Sequence, residues 1–175
     1  SRGLGDVYKR QLMGYLNPIM KFGFEAFCQK CVECGIDGVI IPDLPFKDYE
    51  ETYKPIADRY DIRVIMLITP ETSEARVREI DEHTDGFIYM VSSAATTGAQ
   101  KDFDSQKQAY FKKIQDMHLR NPRMVGFGIS NKQTFDAACA NSSGAIIGSR
   151  FVTLLNEAEG DAEKAITQLK EGLKK

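Results

Sequence analysis

The chain has 175 residues, of which 42% are apolar and 27% charged, enough for one domain with its own core and ordinary for a globular protein. A formal net charge of -2 with no basic face argues against nucleic acid as a partner, and no apolar run approaches the ~20 residues that cross a bilayer. The 4 cysteines include Cys28, Cys31 and Cys34, too close within one helical pattern to frame disulfides, so a reduced, cytoplasmic protein is expected.

Ser1 to about Gln11 is glycine-rich and charged, with no clear period. It reads as a non-native leader or, alternatively, a frayed terminus, and residues 12–175 as the folded domain. Leu12 to Tyr15 is the tail of a strand closed by Asn17-Pro18. Phe24, Phe27, Cys28 and Cys31 then fall at helical spacing, and Gly35 ends that helix. Val39 to Ile41 is a buried strand closed by Pro42 to Pro45, and a helical stretch restarted at Pro55 runs to about Tyr60. Ile62 to Ile68 is nearly all apolar, as parallel strands covered on both faces are.

Thr72 or Ser73 caps a helix ending near His83, and Gly86 to Val91 is the next strand. Ser92 to Asp104 reads as a long polar loop, followed by a helix through Tyr110, Phe111, Ile114 and Met117. The last helix begins at Gly160-Asp161 and places Ala165, Ile166, Leu169 and Leu173 on one face. Strand–helix repetition of this kind makes an α/β protein with a parallel sheet.

Between these last helices lie two glycine turns, Val125-Gly-Phe-Gly-Ile-Ser130 and Ala145-Ile-Ile-Gly-Ser-Arg150. Each is a short apolar run that turns on glycine and enters a helix, with Ser130 or Asn131 as the cap of the first. Unshielded N–H groups at the positive end of a helix hold an anion without any lysine. Two such turns near the end of an alternating chain match the phosphate site that follows the last two strands of a (β/α)₈ barrel. About six strands are readable, where a closed barrel needs eight and ~250 residues. An incomplete barrel is expected, short of about two βα units at the front.

Met13 to Pro18, Asp37 to Pro45, Tyr89 with Ser92 to Gly98, Gly126 to Ser130 and Gly148-Ser149 together resemble the α subunit of tryptophan synthase, in order and with natural loop lengths. The resemblance implies a TIM (β/α)₈ barrel, here incomplete. It implies a lyase that cleaves indole-3-glycerol phosphate to indole and glyceraldehyde 3-phosphate by a retro-aldol step in tryptophan biosynthesis. Indole passes to a PLP-dependent β subunit in an α2β2 assembly, and the α subunit needs no cofactor and no metal of its own.

By the same resemblance, Gly98, Gly128, Gly148 and Ser149 hold the substrate phosphate, and Gly126 and Phe127 shape that corner. Tyr15 and Tyr89 line the indole end, with Ile40, Ile68 and Ile146 as apolar walls. Ser92 to Gly98 is the closing loop, in which Thr97 meets a catalytic aspartate. Asn17 and Pro45 face the β subunit.

The family's acid/base glutamate and catalytic aspartate fall in a segment with no counterpart here. Each positioned proton transfer contributes ~10²–10⁴-fold, so the chain is expected to bind without turning over. Asp43, the remaining carboxylate at a strand end, reads as a loop cap. The Cys28, Cys31 and Cys34 spacing reads as helix packing, against an iron–sulfur alternative. His83 and His118 lie near helix ends, away from the strand tips. Two other functions stay open: a different phosphate-binding barrel isomerase or synthase, and a silent module that only engages a β-type partner.

Overall fold

A computed structural model of the chain describes residues 10–92, 100–126 and 128–174. Its strands are short and fall into two sheets. The first holds β1 (Gln11–Met13), β2 (Gly38–Ile40) and β3 (Arg63–Ile65) in that order. They run parallel, with Leu12 opposite Val39 and Val39 opposite Val64. The second holds β4 (Leu67–Ile68), β5 (Ile88–Val91), β6 (Arg123–Gly126) and β7 (Gly144–Ala145), again in chain order. Val125 of β6 pairs in parallel with Ala145 of β7.

Helices fill the connections: α1 (Leu16–Phe22), α2 (Phe24–Glu33), α3 (Phe46–Asp48), α4 (Lys54–Arg59) and α5 (Glu74–His83). After β5 come α6 (Gln100–Asp116), α7 (Lys132–Cys139), α8 (Ser149–Glu157) and α9 (Ala162–Gly172). A π turn, Tyr49–Tyr53, joins α3 to α4 without a break, and Pro55 sits in the first turn of α4, just past it. The chain divides into two compact units. One contains the chain up to Leu67 together with Ser73–Ile88, and the other Ile68–Thr72 together with Tyr89 onward.

In the first unit the core is built from Ile19, Phe24 and Cys28 of α1 and α2, Val39 and Ile40 of β2, Tyr49 and Tyr53, and Val77 and Ile80 of α5. Ser73 caps α5 by accepting from the Arg76 N–H at 3.3 Å. The end of α2 closes on Gly35, whose φ of +66° lets its own N–H reach Val32 O and the Ile36 N–H reach Cys31 O. In the second unit Met90, Tyr110, Phe111, Ile114 and Val125 are buried. The pair α8 and α9 closes a satellite cluster of Leu154, Ala158 and Ala165, with Phe151, Leu155 and Leu169 packed against it.

Four expectations need correcting. The apolar run Ile62 to Ile68 is two strands, broken at Met66, because its first part pairs with β2 and its second lies beside β5. That raises the strand count among the described residues to seven. Asn17-Pro18 does not close a strand: both residues lie in the first turn of α1, where proline is tolerated. Helix α6 begins at Gln100, inside the stretch expected to be loop. Ile166 is 41% exposed, because Ala165, Leu169 and Leu173, four residues apart, share the face that packs while Ile166 is turned about 100° away.

At the start, Arg10 and Gln11 are tied to the sheet: the Arg10 N–H donates to Asp37 Oδ2 at 3.1 Å, and Gln11 pairs with Gly38. Among the described residues no helix is long and apolar enough to cross a membrane.

Candidate phosphate site

In the second unit, β5 and β6 bring the first glycine turn against an aromatic ring. Tyr89 is 4% exposed, and a Cβ built on Gly126 would lie 2.0 Å from its Oη and 2.3 Å from its Cζ. Only a glycine lets the ring lie against the strand there. One residue past β5, the Ser92 N–H donates to Gly126 O at 3.1 Å, which holds the end of β5 to the end of β6. Burial pushes the Tyr89 phenol above its ordinary range, so the ring stays neutral.

Gly128 has φ +75°, the left-handed region that favours glycine, and Ser92 Oγ lies 3.8 Å from where its Cβ would stand. The helix that follows is capped by Asn131, not Ser130. Asn131 Oδ1 accepts the Thr134 N–H at 2.9 Å, and Thr134 Oγ1 accepts the N–H groups of both Ser130 and Asn131. That capping box occupies the amides of Ser130 and Asn131 and leaves those of Gly128 and Ile129 as the turn's candidate donors.

The second turn follows β7. The Ile146 N–H donates to Val125 O at 2.7 Å, so Ile146 continues the ladder beside β6 and is half-buried. Gly148 occupies the N-cap position of α8 and supplies no side-chain cap, and the first turn of α8 carries no acidic residue. The amides opening a helix have no partner within it. A Cβ on Gly148 would meet nothing within 4 Å, at a φ of -104°. The space above this helix start is open, and Ser149 stands exposed beside it.

In the first unit the predicted residues cluster at the ends of β1 and β2. The Gly14 N–H donates to Ile40 O at 3.1 Å. Tyr15 is 67% exposed and Ile40 is buried. Asn17 and Pro45 are exposed. Asp43 accepts the Leu16 N–H at 2.8 Å, so it caps α1 across the sequence. Ile68, in the second unit, has no exposed surface.

Cys28 and Cys31 are buried in the first unit's core while Cys34 is exposed, and burial raises the Cys28 thiol to about 11. Among the described residues no three His, Cys, Asp or Glu side chains gather as a metal site. His83 ends α5 with its Nδ1 against a carboxylate oxygen of Glu50. Thr97, Gly98 and Phe127 lie outside the described residues.

Sequence reading missed the contact of Tyr89 with Gly126, the tie from Ser92, and Thr134 as the other half of the Asn131 cap. The signal for the first was present, since a glycine inside an apolar strand marks a close approach.

Residues 10–175 match the sequence model of the family described as "Tryptophan synthase alpha chain". The chain belongs to the tryptophan synthase alpha chain family. It is 80% identical to the alpha chain of Bacteroides fragilis over 159 residues, which are 91% of this chain and 60% of that one. To the alpha chain of Bacteroides thetaiotaomicron it is 79% identical over 162 residues, 93% of this chain and 63% of the other.

Solved structures agree. The tryptophan synthase A-subunit of Pyrococcus furiosus superposes with a TM-score of 0.78 at 27% identity, across 93% of this chain and 65% of its own. The subunit alpha of Campylobacter jejuni gives 0.77 at 30% identity, across 94% and 65%. The fold class is therefore that of the TIM (β/α)₈ barrels, and the family is one of lyases in tryptophan biosynthesis. The chain spans about 60% of the length of the curated relatives it matches.

Proposed function

We propose that these 175 residues carry the substrate-holding half of a cytoplasmic tryptophan synthase alpha chain, whose reaction is the retro-aldol cleavage of indole-3-glycerol phosphate. The observation that carries this reading is the pair of glycine turns after β6 and β7. Gly128 is left-handed at one, and at the other the uncapped start of α8 opens onto free space over Gly148. Backbone amides of Gly98, Gly128, Gly148 and Ser149, with the Ser149 hydroxyl, take the phosphate. The family resemblance assigns Tyr15, Tyr89, Ile40, Ile68, Phe127 and Ile146 to the indole end of the substrate and Thr97 to the closing loop. Asn17 and Pro45 meet the β subunit.

Within these residues no acid/base pair is assigned to the reaction. Among the described residues Asp43, the strand-end carboxylate read as a loop cap, accepts the Leu16 N–H. The chain by itself therefore binds the substrate and releases no indole.

Gly148→Ala tests this directly, because the added methyl meets no protein atom. Glycerol phosphate added to the wild-type chain is expected to shift the amide resonances of Gly128, Gly148 and Ser149, and the alanine to weaken that binding about tenfold or more with an unchanged circular dichroism spectrum. Unchanged affinity would remove the second turn from the site. Indole release from the substrate by the chain alone would show that an acid/base pair is present after all.

A further inference from the structure

Helix α1 has no cap of its own. Tyr15 stands at its N-cap position with extended backbone and no side-chain acceptor, and its first turn carries no acidic residue. Pro18 has no N–H, so the Leu16 and Asn17 amides are the first-turn donors that need a partner. Asp43, 27 positions later, takes the Leu16 amide at 2.8 Å. Two residues upstream the Gly14 N–H is bonded to Ile40 O at 3.1 Å. The start of α1 is thus fastened to the turn that follows β2 through Asp43, and Gly14, two residues before that start, to the last residue of β2. Asn17 directly follows Leu16, Pro45 lies two residues after Asp43, and both are exposed.

We propose that Asp43 is a positioning residue for the partner surface: its carboxylate locks the first turn of α1 to the turn after β2, so that Asn17 and Pro45 are offered to a β subunit as one rigid patch. This rests on the assignment of Asn17 and Pro45 to that interface. The carboxylate serves both as hydrogen-bond acceptor and as negative charge at the positive end of a helix. Asparagine retains the first role alone and alanine retains neither. Without the lock, the first turn of α1 frays and the two contact residues are ordered only when the partner binds, which weakens association. Phosphate binding uses the turns after β6 and β7 and is left as it was.

The test is titration of the full 175-residue chain with a tryptophan synthase β subunit, and separately with glycerol phosphate, for wild type, Asp43→Ala, Asp43→Asn and Asn17→Ala. Asp43→Ala is expected to weaken partner binding about tenfold, to speed hydrogen exchange at the Leu16 amide, and to leave phosphate affinity unchanged. Asp43→Asn falls between it and wild type, and carries the test if the alanine variant does not fold. If Asn17→Ala weakens the partner while both Asp43 variants bind it as wild type does, the lock is wrong and the interface stands. If Asn17→Ala also leaves the partner affinity unchanged, or the wild-type chain does not bind it, the interface assignment falls and the lock with it. Equal losses for partner and phosphate would make Asp43 a general stabiliser and overturn the proposal.

Discussion

Replacing Gly126 by alanine puts a methyl group into the ring of Tyr89. The new Cβ would lie 2.0 Å from Oη, 2.3 Å from Cζ and 2.5 Å from Cε1, where ordinary contact begins at 3.4 Å. The ring cannot swing away freely, because it is 4% exposed. The strand cannot retreat freely either, because Gly126 O is held by the Ser92 N–H and Val125 O by the Ile146 N–H. Overpacking of this kind costs about 1–3 kcal/mol. The upper half of that range is expected, since three atoms of the phenol collide at once.

Tyr89→Leu removes those three atoms while keeping apolar volume, so alanine at 126 is expected to cost less than half as much in the leucine background. The coupling energy is then about 1–2 kcal/mol. With no tryptophan in the chain, urea unfolding followed by far-ultraviolet circular dichroism is the assay. Strictly additive single and double substitutions, or a Gly126→Ala chain as stable as wild type, would refute the packing argument.

Asn131→Ala removes one half of the cap that begins α7 and should lower stability by about 1 kcal/mol in the same urea assay. Two residues past the end of α8, Glu159 has φ +53°, and there the Gly160 N–H reaches Leu155 O and the Glu159 N–H reaches Asn156 O. Glycine suits that left-handed position better, so Glu159→Gly should gain about 0.5–1 kcal/mol; a loss would count against the geometry of this corner. Under native conditions a thiol reagent should modify exposed Cys34 first and spare buried Cys28 and Cys31 until denaturant is added. Burial, with the neighbouring Cys31 and Glu25, lifts the Cys28 thiol from 9.0 to about 11. Its folded form holds the proton more tightly, so its contribution is intact below pH 9 and is lost as pH rises through 11. Cys28→Ala should flatten that part of the stability profile.

Elements with strong local signals were legible in the sequence: a cap at Thr72 or Ser73, Gly35 as a stop, the restart at Pro55, and the apolar period of Phe24, Cys28 and Cys31. Locating the two glycine turns required only the change from apolar run to glycine to helix start. What local sequence does not contain is which strand an apolar run will pair with. The run is unbroken in hydropathy from Val64 to Ile68, whereas the break at Met66 depends on partners supplied by β2 and β5, distant in the chain. Asp43 reads locally as a loop cap, yet the amide it satisfies is Leu16, at the start of a helix 27 positions earlier. The Asn17-Pro18 error has the same root, since a proline that can stop a strand can equally open a helix.

Leu12, Met13, Tyr15, Met20 and Phe22, between the first strand and the end of the first helix, are between 44% and 67% exposed. For a chain of these 175 residues, an apolar patch of this kind associates with other apolar surfaces in water. The strand that carries Leu12 and Met13 stands at the end of its sheet's order and can add a further strand there. Sedimentation of the 175-residue chain over a concentration series would read that association directly.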